Sequence, residues 1–270
     1  MDYTTILVQQ EENGLAIVQF NRPDIHNAFD EIFIRELTGA LDTLNRDSSV
    51  RVVLLKSTGK SFSAGADLNW MQRMADYSWT ENYQDSLALA TLMQTLASMD
   101  KPSIAAVQGS AFGGGVGLVA CCDIVLCAPS AQFCLSEVKL GLIPAVISPY
   151  VLAAIGERAS KRYFVSAERF SADTALRLGL VHEIVDADKL DDAATTLTQA
   201  ILANGPNAIS EAKRLIKRVA GKPIEEDVIR HTATKIADIR ASTEGREGIT
   251  AFLEKRAPDW GKSASPDLGD

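Results

Sequence analysis

The sequence predicts an α/β fold with a parallel sheet, followed by a helical appendage. Three observations carry this. Apolar strand-like runs alternate with helix-period stretches through the first half of the chain. Glycine-bearing turns separate several of these runs. From about residue 188 the alternation stops, and helical stretches follow one another with no strand between them.

Taken in order, ILVQQ (6–10) and LAIVQF (15–20) read as strands flanking Asn13-Gly14, a hairpin turn signal. A helix is expected over roughly 28–46, where Phe29, Ile32, Phe33, Leu37, Leu41 and Leu44 recur at 3–4 spacing. VRVVLLKS (50–57) reads as a buried strand and TGKSFSAGAD (58–67) as a loop. The spacing of Leu87, Leu89, Leu92, Met93 and Leu96 predicts a helix over 84–99. SIAAVQG (103–109) is a strand that leads through SAFGGGVG into a small-residue helix, LVACC. CDIVLCA (122–128) and AQFCLS (131–136) are strands again. Helices are expected near 189–203, 207–220, 224–240 and 243–256.

A chain of 270 residues with 46% hydrophobic and 23% charged residues can bury a real core, which excludes bulk disorder. The net charge of −8 argues against nucleic-acid or anionic-membrane partners. The basic cluster Lys213, Arg214, Lys217, Arg218 and Lys222 lacks interleaved aromatics and reads as a solvated helix face. Four cysteines (Cys121, Cys122, Cys127, Cys134) contain no CxxC pair, and His26, His182 and His231 lie far apart, so no metal site is expected. They read as reduced core residues. The uncharged run Pro102 to Cys122 carries five glycines, so it is a strand, loop and buried helix rather than a membrane span. The start, MDYTTILVQQEE, lacks the pattern of a signal peptide. A soluble, cytoplasmic protein is the expectation.

Several motifs fail. Gly59-Lys60-Ser61 mimics the end of a P-loop, but the upstream glycine position holds Leu54. Gly113, Gly114, Gly115 and Gly117 do not fit GxGxxG, and no GxSxG is present. Two glycine turns remain: Ser63-Ala64-Gly65-Ala66-Asp67-Leu68 and Ala111-Phe112-Gly113-Gly114-Gly115, the second opening a helix. Such turns are usually only turns. Together, though, they could aim one backbone N–H each at a single carbonyl oxygen, making an oxyanion hole. Glu137 follows AQFCLS and precedes Leu140-Gly141-Leu142-Ile143-Pro144; a carboxyl in apolar surroundings has a raised pKa suited to proton transfer.

SAGADL, VQGSAFGGGVGLVACCDI and AQFCLSEVKLGLIP, in this order and spacing, resemble the crotonase (enoyl-CoA hydratase/isomerase) superfamily. NRPDIHNAF and GREGITAFLEKR match the same pattern, so the resemblance runs from about 4 to 260. It implies a ββα spiral core over 1–190 that binds acyl-CoA, a C-terminal helical trimerisation region over 191–260 and a flexible tail over 261–270. It further implies a homo-oligomer, trimer or dimer of trimers, with no metal and no cofactor, since CoA arrives on the substrate. By resemblance the N–H groups of Ala66 and Gly114 hold the thioester oxygen, and Glu137 is the acid/base. Ala64, Gly65, Asp67 and Leu68, with Gly113, line the CoA channel. Phe252 and Lys255 match positions that reach CoA on a neighbouring subunit.

The chain also departs from that pattern. Typical hydratases of the family carry a first glutamate three residues after the oxyanion-hole glycine; here that position is Gly117. Ser136 replaces the proline before the second glutamate, and Ala145-Val146-Ile147-Ser148-Pro149-Tyr150 replaces GAGGTQ. Gly117 reads in two ways, as room for a branched acyl or polar group, or as close packing of helix on sheet. With one carboxylate missing, either Glu137 does the proton transfer alone or water activation falls to Asp76, Glu81, Asp85 or a carboxylate of the substrate. SAGADLNWM and CLSEVKLGLIPAVISPY resemble the methylglutaconyl-CoA and isohexenylglutaconyl-CoA hydratase branch, which acts on branched dicarboxylic enoyl-CoAs in leucine/isovalerate and acyclic-terpene breakdown. Three functions follow: a hydratase of a branched enoyl-CoA, best 3-methylglutaconyl-CoA; a Δ3–Δ2 enoyl-CoA isomerase using Glu137 alone; or a non-catalytic acyl-CoA- or RNA-binding oligomer.

Overall fold

The computed structural model describes residues 3–260, so the expected tail at 261–270 lies outside the described residues. The chain divides into two compact units between Thr198 and Gln199. In the first, β1 (Ile6–Gln10) and β2 (Leu15–Phe20) form the expected hairpin, with Ile6 opposite Phe20. Helix α1 (Glu31–Arg46) starts later than the apolar spacing suggests, because Asp30 caps it by accepting from the Phe33 N–H at 2.8 Å.

From there the chain repeats one move. A strand of a large sheet is followed by a short strand of a small sheet, and then by helix. The first turn of this spiral is β3 (Val52–Ser57), β4 (Ser61–Ser63), α2 (Leu68–Met74) and α3 (Trp79–Ser98). The second is β5 (Ser103–Val107), β6 (Ser110–Phe112) and α4 (Gly114–Cys121). The third is β7 (Ile124–Cys127), β8 (Gln132–Cys134) and α5 (Ser148–Ser166). The chain then forms β9 (Phe170–Ser171), α6 (Ala172–Leu178) and β10 (Glu183–Ile184). The large sheet has the order β1-β2-β3-β5-β7-β10 and is parallel apart from the β1–β2 hairpin. The small sheet has the order β4-β6-β8-β9. This is the mixed α/β spiral with a parallel sheet.

The stretch read as a loop over 58–67 thus contains strand β4, too short to show an alternation. Helix α3 begins at Trp79 rather than 84, because Ser78 and Glu81 form a reciprocal capping box. The core holds a run of rings: Phe29 stacks on Phe33 at 4.9 Å, Phe33 meets Phe20 edge-on at 5.1 Å, and Phe20 meets Phe62 at 5.2 Å. All four cysteines are free and buried, and burial pushes the Cys127 thiol up to about 12. They act as small apolar residues.

Helix α7 (Leu190–Leu202) crosses the division, and the second unit holds α8 (Pro206–Val219), α9 (Glu226–Ala241) and α10 (Thr243–Leu253). Buried Glu244 of α10 accepts from the Asn207 and Ala208 N–H groups at 3.0 and 2.8 Å, which caps α8 and ties the two helices. In the basic cluster, Arg214 pairs with Glu211, which also holds Lys235. Among the described residues, no helix is long and apolar enough to cross a membrane.

Candidate active site

Three segments of the first unit meet at the start of α4. The NRPDIHNAF segment explains much of this convergence. Asn27 is fully buried; its Nδ2 donates to the carbonyls of Thr58 and Ser61, while its Oδ1 accepts from the Arg22 N–H. Arg22 in turn donates to the Ala28 carbonyl and pairs with Asp30. Residues 26–29 are thereby held beside the SAGAD turn. The Ala64 N–H donates to His26, the Phe29 N–H to Gly65 and the Asp67 N–H to Phe29.

That pairing uses the amides on either side of Ala66 and leaves the Ala66 N–H with no hydrogen-bond partner among the described residues. Gly114 opens α4, where the first N–H groups have no carbonyl a turn earlier to bond, and its amide is likewise unpaired. The two turns are adjacent. A Cβ on Gly65 (φ +88°) would lie 2.9 Å from the Phe112 carbonyl oxygen, and one on Gly114 would lie 2.7 Å from the Phe29 ring. Phe29 therefore binds one turn through its backbone and props the other with its side chain. Two free N–H donors on neighbouring turns are what stabilising a developing oxyanion requires.

Glu137 opens the short 3-10 turn Glu137–Leu140 after β8. Its Oε1 lies 3.3 Å from where a Cβ on Gly113 would be, and Gly113 has φ +50°. The backbone angle there favours glycine, and a Cβ would crowd the carboxyl. Glu137 Oε2 is buried with no hydrogen-bond partner among the described residues. Burial raises the Glu137 pKa from the usual 4.5, against a smaller lowering by its own backbone N–H. Burial thus favours the neutral form, which suits the carboxyl to give a proton and take it back. Ser136, at the position before it, makes no side-chain cap bond to this turn.

A family description, "Enoyl-CoA hydratase/isomerase", matches residues 10–263. The chain belongs to this family. A crystal structure of an enoyl-CoA hydratase from Shewanella pealeana superposes with a TM-score of 0.92 at 46% identity, covering 95% of this chain and 96% of the other. A crotonyl-CoA hydratase of Syntrophomonas wolfei is 33% identical over 96% of this chain and 99% of its own length. The 2,3-dehydroadipyl-CoA hydratase of Escherichia coli K12 is 29% identical over 94% and 98%.

Within this enoyl-CoA hydratase/isomerase chain, the remaining expected residues divide. The Asp67 side chain is committed to structure, since its Oδ1 caps α2 by accepting from Asn69 and Trp70 at 2.9 and 3.0 Å. Ala64 is half-buried on that turn, and Leu68 is 79% exposed. Phe252 and Lys255 lie in the second unit, Phe252 at 82% exposure on α10 and Lys255 just beyond it with φ +54°. Among the described residues no group of three His, Cys, Asp or Glu could hold a metal ion.

One expectation needs correction. The room read beside Gly117 is filled: a Cβ there would overlap Ile147 Cγ2, 2.9 Å from Ile147 Cβ and 3.2 Å from Met93 Cε. Packing of Ile147 and Met93, not helix on sheet, requires the glycine. The suggested water-activating carboxylates are also accounted for. Glu81 is engaged in the α3 capping box, which lowers its pKa, and Asp76 is exposed. Asp85 accepts from the Trp70 indole at 3.3 Å, and burial raises its pKa. The residues that sequence reading missed are Phe29 as a prop and Ile147 as a plug. Both are apolar, and only the NRPDIHNAF text and the replaced GAGGTQ segment hinted at them.

Proposed function

We propose that the protein is an enoyl-CoA hydratase that adds water across the α,β double bond of a branched acyl-CoA, with 3-methylglutaconyl-CoA the best substrate. The observation that carries the reading is the buried Glu137 carboxyl, whose Oε2 has no partner among the described residues, beside the turn that carries the unpaired Gly114 N–H. In this mechanism the Ala66 and Gly114 amides donate to the thioester oxygen as negative charge gathers on it. The water oxygen bonds to the β-carbon and sheds one proton while the α-carbon gains one; Glu137 gives its proton to the α-carbon and takes back the one that the water oxygen releases. CoA arrives on the substrate, along the turn from Ala64 to Leu68 and past Gly113, with Phe252 and Lys255 reaching it from a second subunit. Substrate choice rests on the likeness of SAGADLNWM and CLSEVKLGLIPAVISPY to that hydratase branch. The E. coli relative's name, a hydratase of a dicarboxylic enoyl-CoA, is compatible with it.

A second reading is a Δ3–Δ2 isomerase. One observation favours it: Ile147 fills the place beside Gly117, so a single carboxyl serves this end of α4. An isomerase moves one proton between carbons and needs no water. The domain division, a helical oligomerisation region after the core, belongs to the same proposal; exposed Ile216, Ile229 and Ile236 on α8 and α9 support a homo-oligomer, to be measured by light scattering.

The test follows loss of the conjugated thioester absorbance with 3-methylglutaconyl-CoA and crotonyl-CoA, and its appearance with a 3-enoyl-CoA, with Glu137→Gln in parallel. Glu137-dependent hydration of methylglutaconyl-CoA ahead of crotonyl-CoA is expected. Isomerisation of the 3-enoyl substrate with hydration of neither 2-enoyl one would overturn the hydratase reading in favour of the isomerase.

A further inference from the structure

We propose that Ile147 is a specificity-determining residue: seated against Gly117, it backs the acyl site and sets how large an acyl group can lie beside Glu137. The inference rests on the acyl-CoA reading above and starts from α4. Gly113 is the N-cap of α4, and the Gly117 N–H donates to its carbonyl at 3.3 Å, so the two residues stand about one turn apart at the helix start. A Cβ at 113 would meet the Glu137 carboxyl, and a Cβ at 117 would meet Ile147. Glu137 and Ile147 therefore flank the same first turn of α4, one at its N-cap and the other a turn further on.

Both residues come from one segment, and that segment fixes where each can go. Glu137 starts the 3-10 turn; Leu142 and Ile143 then stand exposed, Pro144 is buried, and Ile147 lies at the N-terminus of α5 at 2% exposure. The Ile147 carbonyl accepts from the Tyr150 and Val151 N–H groups, and Ser148 Oγ donates to the Ala145 carbonyl at 2.7 Å. The backbone under Ile147 is thus held by the first turn of α5. A β-branched side chain is stiff at χ1, so the methyl group against Gly117 is a firm wall. Met93, fully buried, supports it from α3. The pair is complementary in size: no side chain at 117, a branched one at 147.

Trimming Ile147 should open space on the acyl side of Glu137 without touching Glu137 or the free amides. Saturated butanoyl-CoA, 3-methylbutanoyl-CoA and hexanoyl-CoA are titrated calorimetrically onto wild type, Ile147→Leu and Ile147→Ala, each checked by thermal melting. The Kd ratio of butanoyl-CoA to hexanoyl-CoA is expected to move about tenfold towards the longer chain in Ile147→Ala, and less in Ile147→Leu, which lacks the branch methyl but keeps the side-chain volume. Where Ile147→Ala does not fold, the leucine variant carries the test with a smaller shift. Folded variants whose ratio stays within about twofold of wild type would overturn the role of Ile147 while leaving the acyl-CoA reading intact. A wild-type protein that binds none of the three esters would overturn the acyl-CoA reading, and this role with it.

Discussion

Gly113 and Gly117 stand one turn apart at the start of α4, and they are glycine for different reasons. At Gly113 the backbone has φ +50° and the Glu137 carboxyl lies 3.3 Å from where a Cβ would be, whereas at Gly117 the methyl of Ile147 fills the place of the side chain. One end of the turn is polar and unsatisfied, the other apolar and closed. A buried polar atom without a partner costs about 1–3 kcal/mol, so the Gly113 end carries a cost that packing alone would remove. The Gly117 end carries none. Strain and unmet bonding mark the chemistry here, while tight apolar packing marks its boundary.

The largest expected effect breaks the polar end. Glu137→Gln keeps the shape and removes the titrating group, and should lower kcat/KM by roughly 10²–10⁴ with the melting profile still cooperative. A variant within a fewfold of wild type would remove Glu137 from the proposed chemistry. Next comes the support the two ends share. Phe29 is 1% exposed, stacks on Phe33 and touches Gly114. Phe29→Ala should destabilise by about 3–5 kcal/mol, read by urea unfolding, and Phe29→Leu should cost activity out of proportion to its smaller loss of stability. Equal scaling of the two losses would leave Phe29 an ordinary core residue.

How much of this contrast is legible in the sequence differs between the two ends. Glu137, Gly113, Gly114 and Ala66 stand in short, ordered motifs whose backbone demands are local, and the strands and C-terminal helices follow from periodicity. Strands β4, β6, β9 and β10 and helices α2, α5 and α6 escape it: these strands span two or three residues each, and α2 is set by the Asp67 cap rather than by apolar spacing. Ile147 was out of reach for another reason. It meets Gly117 across thirty positions of chain, through the path of an irregular segment, and no spacing rule reports which apolar residue fills a particular gap. An absent side chain reads as space until its neighbour is known.

Smaller effects sharpen the comparison. Gly113→Ala forces a side chain into positive φ and against the Glu137 carboxyl, costing about 1–3 kcal/mol by urea unfolding, with activity falling as well. Gly117→Ala pushes on Ile147 and Met93 and should cost about 1–3 kcal/mol from overpacking, and Ile147→Ala, which removes the methyl nearest to position 117, should recover part of it in the same chain. Independent, additive effects at 117 and 147 would deny that the two residues share one gap. Asp67→Ala should lose about 1 kcal/mol of helix cap and leave acyl-CoA affinity within a fewfold, since its carboxylate is spent on Asn69 and Trp70.

The last prediction uses pH and no substrate. Burial favours the neutral form of Glu137, so its folded pKa lies above the usual 4.5 of the unfolded chain. Between those two values the folded protein holds a proton that the unfolded chain has released. Stability therefore falls as pH rises through that window, and it levels off above the folded pKa. The contribution is fully present below the unfolded value and lost above the folded one. Glu137→Gln has no proton to release there. Wild type minus variant, in melting temperature, should be most favourable to wild type at the acid end and should decline steadily on leaving pH 4.5. The same comparison for Ile147→Val, at the apolar end, should be flat across the range. A flat difference for Glu137→Gln would mean that the carboxyl ionises as freely in the fold as in water, and the polar end of α4 would lose the property that separates it from the apolar one.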